Sequence, residues 1–285
     1  MSTLRIPQPS RIRVPRFRPI YLAVIPIVVI VGFPLYWMLD TALTSSATLY
    51  IKPQSFLPSF NTFHSLGTGL GEIQVGSMFA NSAFIAIGTS VLSVFLGLNT
   101  AYALSRFQFR GRGVISLLLF ATQMVPEGIY LIPIYTLFIS VGLVDNLWGL
   151  VLVNVSFTLP VSTFIIKAGI DMIPFEIEEA ARIDNCPRFG ILMTVLVPLI
   201  VPSIASAAVL AGFSAWGELM FASTFLTDQG KWPASVQLEQ LVSNPEATIP
   251  IVMAVSILYS LPAIVFFLIV QRRIVTGLTA GAVKG

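Results

Sequence analysis

Cysteine and histidine are nearly missing from this chain: 285 residues hold one of each, Cys186 and His64. One cysteine excludes an intrachain disulfide framework and any cysteine-based metal cluster. One isolated histidine excludes zinc chemistry and a Ser–His–Asp triad, both of which need histidine among several partners. Charge is scarce too. Charged residues make up 10% of the sequence and hydrophobic ones 55%, whereas a soluble domain carries about 25% charged residues. With a mean hydropathy of +0.87, the chain cannot leave its apolar surface in water, and it reads as an all-α membrane protein. The phosphate-cradling pattern G-x-x-x-x-G-K-[ST] is also absent. Gly230–Lys231 has neither the spacing nor a following Ser or Thr.

What the chain does have is long apolar runs. Crossing roughly 30 Å of hydrocarbon takes about 20 helical residues, and six runs qualify: Ile20–Leu39, Met78–Leu104, Val114–Val141, Leu147–Ile166, Val195–Leu226 and Ile249–Val270. The second, third and fifth are longer than needed, so they are expected to tilt, break or extend out of the bilayer. Pro26, Pro34, Pro126, Pro133, Pro160, Pro198, Pro202 and Pro262 lie in or beside the runs. Neighbouring helices or a cavity must satisfy the backbone groups they free.

Charge sets the orientation. Of sixteen lysines and arginines, all but Lys52 and Lys231 fall on one side of this six-span arrangement. That side is the cytoplasm, so both termini are expected there. The formal charge of +3 is therefore a topology signal and not a nucleic-acid footprint. The arginine-rich N-terminus with its apolar run resembles a signal peptide, and Ser45–Ser46–Ala47 resembles a cleavage site. The run exceeds the roughly 7–15 residues of such a segment, which favours an uncleaved first span. Gly67, Gly69 and Gly71 imitate a dinucleotide loop, but no strand precedes them and they fall on the outer side.

Residues Glu176–Pro198, EIEEAARIDNCPRFGILMTVLVP, form a charged island between two apolar runs. Pro174 suits the first turn of a helix, and Glu176, Glu178 and Glu179 place negative charge at its positive end. Glu178 and Arg182 are four apart and are expected to pair. Ile173, Ile177 and Ala180 share a face, and the small Ala180 and Ala181 permit close approach of a partner. Asn185 stands where the chain must turn in a left-handed conformation, Pro187 opens a second short helix, and Pro198 leads into the next span. The bland alternative is a solvated amphipathic loop.

The spacing resembles the EAA signature of permease subunits of binding-protein-dependent ABC importers: E-A-A, three residues, G, nine residues, I, one residue, L-P. Glu179–Ala180–Ala181, Asn185, Val195 and Val197–Pro198 occupy its positions, with asparagine for glycine and valine for isoleucine and leucine. Asn81–Ser82 with Ala101–Phe107 (AYALSRF), Phe213–Leu219 (FSAWGEL) and Gln271–Gly285 are similar to further patterns of the carbohydrate-uptake branch, the relatives of the maltose permease. The resemblance runs from about residue 20 to the C-terminus.

It implies a type I ABC importer permease fold in a bacterial inner membrane. The expected organisation is a basic tail (1–19), a first span (20–43), an external loop (44–77), a five-helix core (78–271) with its EAA hairpin at 173–198, and a cytoplasmic tail (272–285). It implies that Glu178, Glu179, Ala180, Ala181, Arg182, Asp184 and Asn185 couple to a cytoplasmic ATPase dimer, with Glu179 pairing to a basic residue there. Arg272 and Arg273 take a secondary docking role. ATP and Mg are expected on the ATPase, and no cofactor on this chain. A second six-helix permease, an extracytoplasmic solute-binding protein and a sugar-like solute complete the assembly.

Intramembrane carboxylates are functional candidates by default, and Glu127 and Glu218 fall inside the third and fifth apolar runs. Together with Tyr130, Asn154, Ser156, Thr158 and Trp216 they are candidates for a solute path; helix–helix bonding is the plainer role. The competing function is an ion-gradient-driven secondary transporter, which would show internal repeats; none is clear. An intramembrane enzyme lacks any catalytic constellation.

Overall fold

The computed structural model describes residues 20–49, 67, 71 and 75–279, with side chains described only within 24–268. The basic N-terminal tail, most of the expected external loop, the side chains of Arg272 and Arg273, and residues 280–285 lie outside the described residues. In chain order the helices are α1 (Ile20–Leu43), α2 (Val75–Arg106), α3 (Arg112–Thr122), α4 (Glu127–Ser140), α5 (Leu147–Asp171), α6 (Phe175–Ile183), α7 (Arg188–Leu199), α8 (Val201–Trp216), α9 (Met220–Phe225), α10 (Ala234–Ser243) and α11 (Ile249–Thr279). Single turns at Ser46–Leu49 and Gln229–Lys231 add to these, and no strand occurs among the described residues.

Four helices, α1, α2, α5 and α11, contain stretches long and apolar enough to cross a membrane. Two more candidates are bent pairs: α3 and α4 meet at 101°, α7 and α8 at 83°. The described residues thus hold four spans, or up to six if each bent pair is one crossing. Both breaks have local causes. Pro126 precedes α4 with φ −57° and ψ 133°, and proline forces its neighbour Val125 away from helical geometry. The second turn falls at Ile200 (φ −101°, ψ 15°), just ahead of Pro202 in the first turn of α8. The apolar run Val195–Leu226 is therefore not one helix. It begins inside α7, turns at Ile200, stops at Trp216 and resumes as α9. Within α7, Ile191–Leu196 is a π-helical stretch.

The centre of the bundle is the mutual packing of α2, α5 and α8, while α11 packs on α1 and α8. Small residues let these backbones approach, as they do in membrane bundles generally. A side chain on Gly97 would meet Ser162 Cβ and Thr163 N at 3.3 Å, and one on Gly169 would meet Ser203 Cβ at 2.8 Å. Ser93 and Thr158 share a buried 2.7 Å hydrogen bond between α2 and α5. Two apolar clusters flank this seam. One gathers Ile85, Phe138, Leu150, Phe221 and Phe225; the other gathers Leu98, Tyr102, Ile166, Ile170, Ile191 and Leu196.

At the N-terminal end of α5 a clasp ties three loops. Asp145 sits at φ +56°. Its N–H donates to the Phe225 carbonyl (2.8 Å), and its Oδ1 accepts from the N–H groups of Thr227 and Asp228 (3.1 Å each). Lys231 Nζ donates to Asp145 Oδ2 at 2.6 Å. Asn81 Nδ2 reaches the Gly230 carbonyl at 2.9 Å, and Ser82 Oγ accepts from Ala234 N–H at 2.7 Å. The hydrogen bond from Lys231, helped by the two backbone N–H groups, holds the Asp145 carboxyl below its ordinary range. A depressed folded-state value stabilises above the unfolded pKa of about 3.9, and that contribution is lost as pH falls through the folded value. Hydrogen exchange over 226–233 should therefore stay slow down to about pH 4 and accelerate only below it. Asp145→Asn, which tolerates positive φ, should remove that acid step. An identical acid profile in the variant would dismiss the clasp as its origin.

Candidate functional site

The segment 173–199 leaves the C-terminal end of α5, the end opposite the Asp145 clasp, and returns as α7. Pro174 opens α6, and Glu176 and Glu178 lie in its first turn with Arg182 in its last, the polarity that the helix dipole favours. The turn is a Schellman arrangement. Asn185 stands at φ +58°, its N–H donates to the Arg182 carbonyl (3.0 Å), and Cys186 N–H donates to the Ala181 carbonyl (3.0 Å). The left-handed asparagine expected from the sequence is present.

The carboxylates of α6 part company. Glu178 is fully buried and ion-paired through Oε1 with Arg106 Nε; Arg182 Nη2 stands 3.7 Å from its other oxygen. The Glu178–Arg182 pair expected from spacing is present as this longer contact, and the primary partner is Arg106, 72 residues away. Buried Glu178 is not part of the surface that a partner would touch. Glu176, Glu179, Asp184 and Asn185 are exposed. Ala180 faces outward with Ile177, whereas Ala181, Ile173 and Cys186 pack against the core. Large apolar side chains stand out beside the acids: Ile183 is 82% exposed and Phe189 66%. Phe175 lies against the guanidinium of Arg182 (5.0 Å), and Phe107 against that of Arg188 (5.2 Å).

The second polar region lies at the two other helix interruptions. Sequence alone puts Glu127 and Glu218 inside apolar spans; the structure puts each at a break. Glu127 is exposed and starts α4 after Pro126. Glu218 lies between α8 and α9, where its carboxylate accepts the N–H groups of Phe221 (2.6 Å) and Ala222 (3.0 Å) and so caps α9. The start of α4 meets that of α9 at Gly128 and Met220. Half-buried Tyr130 packs near Phe157. Trp216 ends α8, stacked between Phe79 and Tyr259 (6.1 Å each). It also borders a cavity of about 250 Å³ between α2, α8 and α11 whose walls are almost wholly apolar. Asn154 is buried and donates to the Leu150 carbonyl of its own helix. Thr158 is buried against Ser93, and Ser156 is exposed with its hydroxyl bonded within α5.

Two residues escaped sequence reasoning. Arg106 was legible only as one more positive charge for topology, and Asp145 gave no signal of its loop-binding role. The pattern A-Y-A-L-S-R-F, which ends in Arg106 and Phe107, was the available hint.

The comparisons with known proteins agree with this architecture. A family model for the binding-protein-dependent transport system inner membrane component matches residues 90–279. The inner membrane ABC transporter permease protein YcjP of Escherichia coli (strain K12) is 36% identical over 73% of this chain and 74% of its own length. The trehalose transport system permease protein SugB of Mycobacterium tuberculosis (strain CDC 1551 / Oshkosh) is 32% identical over 94% of this chain and 98% of its own. Among solved structures, a chain from a bacterial ABC transporter involved in the import of the acidic polysaccharide alginate superimposes with a TM-score of 0.77 at 24% identity. It covers 93% of this chain and 99% of that one, a likeness of fold. With two thirds of its length matching the family model and a relative 32% identical over nearly the whole of both chains, this chain belongs to the family of inner-membrane components of binding-protein-dependent transport systems, the non-catalytic permease subunits of ABC transporters.

Proposed function

We propose that this protein is one permease subunit of an ATP-driven importer for a sugar or sugar-like solute, with six spans, cytoplasmic termini and α6 as its contact with a separate ATPase. The observation that carries this reading is the division of α6: Glu178 is turned inward, while Glu179, Ala180 and Ile183 stand outward on a capped, rigid turn. Exposed acids beside exposed aliphatic side chains fit a charge-assisted contact surrounded by apolar area. The charge asymmetry of the loops supports a cytoplasmic position for this hairpin. The sugar class is supported by the names of relatives, which include permeases of trehalose, galactooligosaccharide, maltodextrin and diacetylchitobiose systems. A second permease and an extracytoplasmic binding protein complete the machine. The break that holds Glu127, Tyr130, Trp216 and Glu218 is the candidate for solute contact, and Arg272 and Arg273 for secondary ATPase docking.

The test is uptake by the reconstituted complex in proteoliposomes. Glu179→Ala should weaken ATPase retention and lower ATP-driven uptake roughly tenfold or more, the effect of losing a charge-assisted bond worth about 1.5–3 kcal/mol. Ile183→Asp should do the same, since burying isoleucine contributes about 1.5–3 kcal/mol. Full ATP-dependent uptake in both variants would sink the docking assignment. Wild-type uptake that follows an ion gradient and ignores ATP would replace the importer with a secondary transporter.

A further inference from the structure

Arg106 is the last residue of α2, and its guanidinium meets three elements at once. Its Nε binds Glu178 of α6. Its Nη2 donates to the Ile170 carbonyl of α5 (2.9 Å) and to the Ile173 carbonyl in the connection to α6 (2.8 Å). Its Nη1 lies 3.5 Å from Ser105 Oγ; that hydroxyl binds Asp171, which Lys167 also holds at 2.5 Å. The Arg106 side chain is 9% exposed and that of Glu178 0%. Other contacts of this end of the hairpin are the Ile173 N–H bond to the Ile170 carbonyl (3.0 Å) and apolar packing through Ile173, Ala181 and Cys186, which is non-directional. A planar fork of several donors holds a carboxylate and two carbonyls in one fixed geometry, whereas a lysine ammonium is a point charge on a flexible stem.

We propose that Arg106 is a positioning residue: it fixes the angle of α6 against α2 and α5 and passes displacement of the hairpin into both long helices. The inference rests on the reading of α6 as the ATPase contact. The joint makes any push on α6 act on α5 through its C-terminal carbonyls and on α2 through its last residue. Arg182 is 43% exposed and stands beside both Glu178 and Phe175, and it adds charge without reaching either long helix.

The experiment uses the full chain with its partner permease in nanodiscs, with and without the ATPase. A spin label is placed at Glu176→Cys in a Cys186→Ser background, and uptake per ATP hydrolysed is measured in parallel on unlabelled complexes. Arg106→Gln should raise label mobility and lower uptake per ATP roughly tenfold while the ATPase stays bound, the scale of energetic coupling that such a contact carries. Arg106→Lys keeps the charge and should fall between wild type and glutamine; it decides the matter if the glutamine variant does not accumulate. Unchanged label mobility and unchanged uptake per ATP in Arg106→Lys and Arg106→Gln would overturn the proposal. So would uptake and ATP hydrolysis that fall in proportion, as a merely structural role requires. A label that responds to Arg106 but not to added ATPase would uphold the joint and reject the docking reading.

Discussion

Glu178→Leu, with Arg106 left in place, is expected to lower the stability of the folded chain by about 3–5 kcal/mol. The size follows from asymmetry. The substitution strands a guanidinium whose side chain is 9% exposed opposite a site that is wholly enclosed, and an unpaired buried charge costs far more than a pair contributes. Glu178→Gln keeps an acceptor for Nε and should cost about 1–3 kcal/mol. Replacing both partners, Arg106→Met with Glu178→Leu, should recover most of the loss, less the cost of removing the Arg106 donor from the Ile173 carbonyl; the Ile170 carbonyl keeps the Ile173 N–H (3.0 Å). Equilibrium unfolding in mixed micelles across this cycle gives the interaction energy directly. Wild-type stability for Glu178→Leu, or strict additivity of the two single losses, would show that the pair contributes nothing. One oxygen of Glu178 lacks a hydrogen-bond partner among the described atoms, so the effect rests on Oε1.

The second large effect is expected at Gly169, where α5 packs tightly against α8. Its missing side chain is what lets Ser203 in: an added Cβ would lie 2.8 Å from Ser203 Cβ and nearer still to its hydroxyl. The hydroxyl can rotate away but the Cβ is fixed to the backbone, so the helices themselves must separate. Gly169→Ala should cost about 1–3 kcal/mol as an overpacked contact, despite alanine's higher helix propensity. Gly169→Leu should prevent the bundle from forming. Ser203→Gly removes both clashing atoms and should rescue Gly169→Ala while costing a little alone, about 0.5–1 kcal/mol for glycine in a helix. Rescue measured as the melting temperature of the purified double variant would establish the contact. A double variant less stable than either single one would refute it.

How far the sequence carried can be seen at particular residues. The run Val114–Val141 was too long for one crossing, and the structure breaks it at Pro126, a residue whose effect is local and therefore readable. Asn185 was equally readable, because its left-handed backbone depends on its own side chain and its neighbours. The Val195–Leu226 run was harder. Hydropathy is blind to a turn at Ile200, since isoleucine reads the same on both sides of a bend. Glu218 illustrates a second limit: an acid in an apolar run is legible as a candidate site but not as the cap of the helix that follows. The partnership of Arg106 and Glu178 was invisible, because it joins residues 72 apart and helical spacing offered Arg182 as a nearer partner. Asp145 and Lys231, 86 apart, were hidden for the same reason.

The π-helical stretch Ile191–Leu196 has a consequence for how this chain can change over evolutionary time. In an ordinary α-helix each inserted residue rotates everything beyond it by about 100°, which would turn a buried face outward. A stretch with wider turns takes up the extra residue where it stands, and such bulges concentrate at functional sites. The hairpin arm from Arg188 and the helix beginning at Val201 are thereby uncoupled in angular register. The hairpin can lengthen or shorten while Val201–Trp216 keeps the same residues against α2 and α5.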